Sequence, residues 1–216
     1  MKIPRFLLIA SLIITLPSCA TRRLSDADRN AIRSVHVASI QLPEEPSLPR
    51  SGSTGAALIG TLIFLPGGAF IGAGLANLGN DMPAVLGRHL QQQKIDMAAY
   101  VTSEVHAHLE KQRFKIVTDP AQADASIEII VVHYGLMPAA LFANEYYPDL
   151  MLGGSLVRRS DNKKLWSGSA FLGSDQDALA TFERRPREAY MNDRTLLESS
   201  FRKVAKTVIA VALRGL

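Results

Sequence analysis

The sequence predicts an α+β fold: a small mixed or antiparallel sheet backed by two main helices, with an inserted glycine-rich helical hairpin. Three observations predict it. Runs rich in β-branched and other apolar residues fall at 35–42, 114–117, 127–132, 150–157 and 165–172, each of strand length. Two apolar stripes of helical period cover 95–109 and 197–211. Between them, residues 51–80 carry no charged side chain and eight glycines, a composition foreign to either pattern.

Taken in order, the chain opens with Lys2 and Arg5, then an uncharged run of eleven, Phe6 to Leu16, dominated by leucine and isoleucine. That run is too short to span a bilayer as a helix but suits the core of an export signal. Leu16-Pro17-Ser18-Cys19 follows, and it resembles the lipobox of bacterial lipoprotein precursors. The resemblance implies cleavage before Cys19, a signal peptide over 1–18, and diacylglycerol and palmitate-type acyl chains on Cys19. Two or three such chains hold a protein on a membrane where one does not. Ser18-Cys19-Ala20 also reads as the small-x-small site of an ordinary secretory signal, releasing a soluble chain from Thr21. In lipoproteins a residue other than aspartate after the cysteine, here Ala20, implies the periplasmic face of the outer membrane rather than the inner membrane. Cys19 is the only cysteine, so one mature molecule has no disulfide.

Loss of 1–18 removes two basic and no acidic residues, leaving 22 basic against 20 acidic. A net charge of +2 gives no reason to expect nucleic acid as a partner. Residues 19–33 read as a polar tether and 34–216 as one domain, long enough for one good core. Val35, Val37, Ile40 and Leu42 form the first strand, and the prolines of 43–50 make an extended linker. In the glycine-rich insertion, Leu65-Pro66-Gly67-Gly68 is a turn between two arms, 55–64 and 69–78. Each arm would reach roughly 15 Å as a helix, half a hydrocarbon core. Gly68, Gly72 and Ala76 share one smooth face suited to close backbone approach, as membrane or oligomer contacts.

Asp81, Pro83, Val85, Leu86 and Leu90 mark the next helix. Asp96 either caps a further helix or lies within a continuous one, and Ile95, Ala98, Thr102, Val105 and Leu109 are its expected core stripe. Lys111 and Arg113 close it at the negative pole of the dipole. Phe114–Val117 is a short strand stopped by Asp119-Pro120, and Ile127, Ile129, Ile130, Val131 and Val132, apolar on both faces, make a central one. Two paired strands then flank the polar turn 159–163. The terminal helix carries Leu197, Phe201, Val204, Val208 and Val211 and is capped near Asn192 or Asp193.

Two segments, Asp119-Pro120-Ala121-Gln122-Ala123-Asp124 and Asp161-Asn162-Lys163-Lys164-Leu165-Trp166-Ser167-Gly168, carry a further resemblance. With this element order the chain is similar to small outer-membrane accessory lipoproteins whose domain looks like the amino-terminal domain of TolB or the periplasmic domain of the curli secretion channel. The likeness covers about half of the mature chain, and its glycine-rich insertion departs from the simplest members. It implies an envelope assembly or transport accessory rather than a catalyst.

The residues themselves offer little chemistry. His106 and His108 diverge on a helix, no HExxH occurs, and Cys19 is committed to lipid, so no metal and no cofactor is expected. Gly153-Gly154-Ser155-Leu156-Val157 fails the serine-hydrolase pattern at its last position, and Gly72 to Asn77 is a near miss to a dinucleotide glycine motif. Glu104 and His108, four apart, read as a surface pair. The segment 135–149 is an apolar loop with Leu136, Met137, Leu141, Phe142, Tyr146 and Tyr147. It either folds back over the sheet edge or presents Phe142, Tyr146 and Tyr147 as partner anchors. Arg184-Arg185-Pro186-Arg187 reads as a solvated loop or a contact for phosphate head groups. The expected function is therefore a membrane-anchored, non-enzymatic binding or assembly accessory, acting on an envelope protein complex or by self-association. The alternative is a periplasmic hydrolase or cell-wall modifying enzyme, which would need a cleft of converging ionisable groups.

Overall fold

A computed structural model describes residues 22–47, 82–140 and 143–216. Five strands, β1 (Ser34–Gln41), β2 (Lys115–Ile116), β3 (Ala125–Pro138), β4 (Glu145–Arg158) and β5 (Lys164–Phe171), form a sheet in the order β2-β1-β3-β4-β5. A two-residue β6 (Arg185–Pro186) pairs with the start of β4. β1 runs parallel to both its neighbours, while β3, β4 and β5 alternate in direction, so the sheet is mixed. Helices are α1 (Asp26–Ala31), α2 (Met82–Gln92), α3 (Met97–Lys111), α4 (Gln176–Ala180), α5 (Arg187–Asn192) and α6 (Arg194–Ala212). The expected α+β class, with two main helices behind a small sheet, is what forms: α6 lies over β4 and β5, and α3 packs on α6, β1 and β2.

Local chemistry sets these boundaries. Asp96 does cap a separate helix, accepting the Ala99 N–H at 3.0 Å, and Asp193 caps α6 through the Leu196 N–H at 2.9 Å. Both α2 and α3 end in Schellman turns, closed by Ile95 N–H to the Leu90 carbonyl and Phe114 N–H to the Leu109 carbonyl. The left-handed positions, normally glycine, are held by Lys94 (φ 55°) and Arg113 (φ 67°). The segment Asp119 to Asp124 is a structural clasp. Asp119 caps a 3-10 turn over Pro120–Gln122, and Asp124 Oδ2 accepts from Arg33 N–H, Ser34 N–H and Ser34 Oγ, each at 2.9 Å. Burial pushes the Asp124 carboxyl up, but these donors outweigh it and hold the group below its usual range.

Cross-strand register builds the core. Ile127, Leu156 and Trp166 stand in one row under the helices, Ile129, Gly154 and Gly168 in the next, and Val131, Leu152 and Ala170 in a third. A side chain at Gly168 would collide with the Ala212 carbonyl and the Trp166 ring, so this glycine lets the end of α6 lie close on the sheet. Trp166 is fully buried there, together with Leu197, Phe201, Val204 and Val208 of α6. On the other face, Ser155, Ser167, Ile130 and Ser169 remain half-exposed.

Several expectations are corrected. In α3 the buried side chains are Met97, Tyr100, Val101, Val105 and Leu109, whereas Ala98 is exposed and Thr102 half-buried. The stripe is offset because the cap at Asp96 starts the helix with Met97 inward. Residues 22–33, expected as a tether, fold onto the domain: Arg22 bridges to Ser167, Leu24 and Ile32 enter the core, and α1 lies between them. Val211 is only partly buried, and the core position near it is Ala212. Of the expected loop 135–149, residues 135–138 and 145–149 are the continuation of β3 and β4. Cys19, the insertion at 51–80 with Gly68, Gly72 and Ala76, and Phe142 lie outside the described residues.

Candidate functional site

The β3–β4 hairpin has the longest ladder of the described sheet. Its ladder runs from Ala125–Arg158 to Pro138–Tyr146, and Ala139 N–H closes on the Glu145 carbonyl at 2.8 Å. Gly135, Pro138 and Pro148 sit within it; Pro138 and Pro148 make no N–H donation, so the hairpin continues on the remaining donors. β6 clamps its far end by pairing Arg185 with Tyr146. Tyr146 and Tyr147 are accordingly half-buried and packed against the core, and Leu136 is buried.

One residue too many in β3, Val132, makes a bulge between the Val131–Leu152 and His133–Met151 pairs. Beyond it Tyr134 faces the helices beside Leu150, and His133 faces the other way. There His133 Nε2 meets Asp149 Oδ2 at 2.6 Å, with both residues 4% exposed. Nδ1 of His133 is buried without a hydrogen-bond partner among the described residues. Asp149 and Tyr147 share a face of β4; burial pushes the Tyr147 phenol up, the Asp149 carboxylate adds to this, and Arg184 opposes it. Tyr147, Asp149 and His133 thus form a polar row beneath the hairpin. Sequence reasoning missed it. The only signal was a charged Asp149 between Pro148 and Leu150, and its partner is set by the bulge.

Such a pair has two chemical uses: it fixes the two strands across the bulge, and it could orient an imidazole toward a substrate. The latter requires access to a substrate. A cleft of about 470 Å³ exists where α2 meets α3, lined by Leu42, Leu90, Lys94, Asp96, Met97 and Tyr134 among others, and neither His133 nor Asp149 lines it. Its Asp96 carboxylate is already engaged as a helix cap. Burial pushes the Tyr134 phenol up, with Glu45 and Asp96 adding to the effect.

His36 Nδ1 is 3.2 Å from the Val117 carbonyl, and burial pushes His108 down where α3 meets Leu213. Ser155 lies inside β4, paired on both sides by Glu128 and Ser167, and not on a strand-to-helix turn. No group of three or more His, Cys, Asp or Glu is placed to hold a metal among the described residues. No helix among them is long and apolar enough to cross a membrane.

No family model matches the chain, and no curated protein matches it. Among solved structures it is similar to protein XCC0632 from Xanthomonas campestris, of family DUF330, at 14% identity over 82% of this chain and 79% of that one, with a TM-score of 0.41. It is similar to the PelC dodecamer from Paraburkholderia phytofirmans at 12% identity over 91% and 93%, TM-score 0.35. For the lipoprotein GNA1162 from Neisseria meningitidis the identity is 18% over 80% and 98%, TM-score 0.27. At TM-scores this low the likenesses transfer neither fold nor function, and the functional reading rests on this chain's own residues.

Proposed function

We propose that this chain is a lipoprotein of the bacterial envelope, anchored through Cys19 on the periplasmic face of the outer membrane, and that it works by binding rather than by catalysis. The observation that carries the proposal is Leu16-Pro17-Ser18-Cys19 after a basic and then apolar start, with the sole cysteine at the position the lipid chemistry needs. The non-catalytic part is supported by the separation of the two features an enzyme would combine. The buried His133–Asp149 pair and the cleft at the α2–α3 junction share no residue, and the cleft's own carboxylate caps a helix. Binding would use the hairpin with Phe142, Tyr146 and Tyr147, or self-association through the Gly68, Gly72 and Ala76 face of the insertion.

Two measurements test this reading. Labelled palmitate should enter the wild-type chain in growing cells, and Cys19→Ala should abolish both labelling and processing before residue 19. A Cys19→Ala chain that matures as usual, alongside an unlabelled wild type, would remove the anchor. A photo-cross-linker at Tyr146 should then capture one defined envelope partner, or a second copy, in intact cells. Gly72→Leu should change oligomer size or membrane retention if the insertion makes close helix contacts. An uncaptured Tyr146 together with indifference to Gly72→Leu would remove the binding role.

A further inference from the structure

The lipid reading says that the protein touches a membrane; the fold says which side does. Arg22 is fixed to the β5 edge by two backbone bonds with Ser167, at 3.0 and 3.1 Å. Leu24 N–H bonds the Gly215 carbonyl at 2.9 Å, and the Leu24 side chain is buried. The Arg23 stem lies along Gly215, close enough that a Cβ there would meet Arg23 Cγ at 3.1 Å. The chain is therefore held on the domain from Arg22, with no free tether after it. Cys19 is three residues earlier, so even an extended chain lets it reach only about 10 Å from Arg22. A lipid on Cys19 would hold this corner of the domain against the head groups.

Charge at the corner fits that placement. Arg22 and Arg23 are exposed. Arg214, at the end of α6, is 70% exposed and meets Asp175 only at 3.5 Å. Lys111 and Arg113 lie at the end of α3, which approaches the end of α6 at His108 and Leu213. Arg29 of α1 bonds Gln112 beside them. The acidic groups nearby are Asp26, Glu110, Asp175 and Asp28, and Asp28 is engaged by Arg158. These basic side chains outnumber the acidic ones, and they also offset the negative ends of the two helices.

Resting on the lipid reading, we propose that the end of the domain formed by Arg22, Arg23 and the carboxyl-terminal turns of α3 and α6 is a docking surface for anionic lipid head groups. The β3–β4 hairpin and the amino-terminal end of α6 then point away from the membrane, toward a partner. One basic side chain close to an anionic surface contributes about fivefold in affinity, fading with salt.

The test uses the full-length lipidated protein in vesicles of phosphatidylethanolamine and phosphatidylglycerol carrying a head-group nitroxide. Because lipid blocks Cys19, a thiol dye reads only an introduced cysteine. Ala210→Cys and Thr195→Cys are both exposed on α6, about 22 Å apart along its axis. Quenching should be at least threefold stronger at position 210 than at 195. Arg22→Glu with Arg23→Glu should cut quenching at 210 by half or more at low salt, with the protein still vesicle-bound. Equal quenching at both positions, stronger quenching at 195, or indifference to the double reversal overturns the docking surface while leaving the anchor intact. Protein that does not float with vesicles at all, and whose Cys19 takes the dye, overturns the anchor, and the docking surface falls with it.

Discussion

Trp166 is the largest fully buried side chain among the described residues, and replacing it separates packing from hydrogen bonding. It is fully buried in the row with Ile127 and Leu156 under α6. An indole buries about 200 Å², which at about 25 cal/mol/Å² amounts to roughly 5 kcal/mol. Against this, its Nε1–H is buried with no hydrogen-bond partner among the described residues, a penalty of about 1–2 kcal/mol. Trp166→Ala should then lose about 3–4 kcal/mol, lowering Tm by roughly 6–16 °C for a domain of this size. Trp166→Phe keeps most of the packing and removes the orphaned donor, so it should cost about 1 kcal/mol or less. Trp166 is the only tryptophan, so unfolding of the variants is followed by circular dichroism rather than fluorescence. An unchanged midpoint for Trp166→Ala would refute the packing. A phenylalanine variant as damaged as the alanine one would refute the energetics.

Three further outcomes follow from the same structure. His133→Ala and Asp149→Ala should each lose about 3–5 kcal/mol in urea unfolding, because each strands the other buried group. The double His133→Leu, Asp149→Leu variant should recover most of that, and additive losses would show that the two do not act as a pair. Arg113→Gly should gain about 0.5–1 kcal/mol by relieving a left-handed residue, net of the extra chain entropy of glycine. A loss would mean the arginine side chain does something the Schellman turn does not need. The Asp124 carboxyl, held low in the fold, contributes stability present above its unfolded pKa, about 3.9, and lost as pH falls through its lower folded value. Acid titration of Tm should therefore fall more steeply in this range for wild type than for Asp124→Asn, and parallel curves would contradict the clasp.

What the sequence made legible was whatever depends on period and on single caps. Ile127, Ile129, Ile130, Val131 and Val132 put apolar side chains on both faces, and the resulting strand lies between β1 and β4. The α6 stripe apart from Val211, and a cap at Asn192 or Asp193, follow from spacing and side-chain chemistry; the structure places the cap at Asp193. What was hidden depends on register. The His133–Asp149 contact requires both the bulge at Val132 and the pairing that brings position 149 opposite 135. The same pairing makes strand of 135–138 and 145–149, the two ends of the expected loop. The amino-terminal segment misled for another reason: Leu24 and Ile32 are two core anchors among polar residues, too few to give a period.

The most direct test of the account is the intact mass of the first peptide of the protein purified from cell membranes. The account predicts a mature chain that begins at Cys19, carries diacylglycerol on its sulfur, and lacks residues 1–18. A peptide that begins at Thr21, or an unmodified thiol at Cys19 in the mature chain, would contradict it.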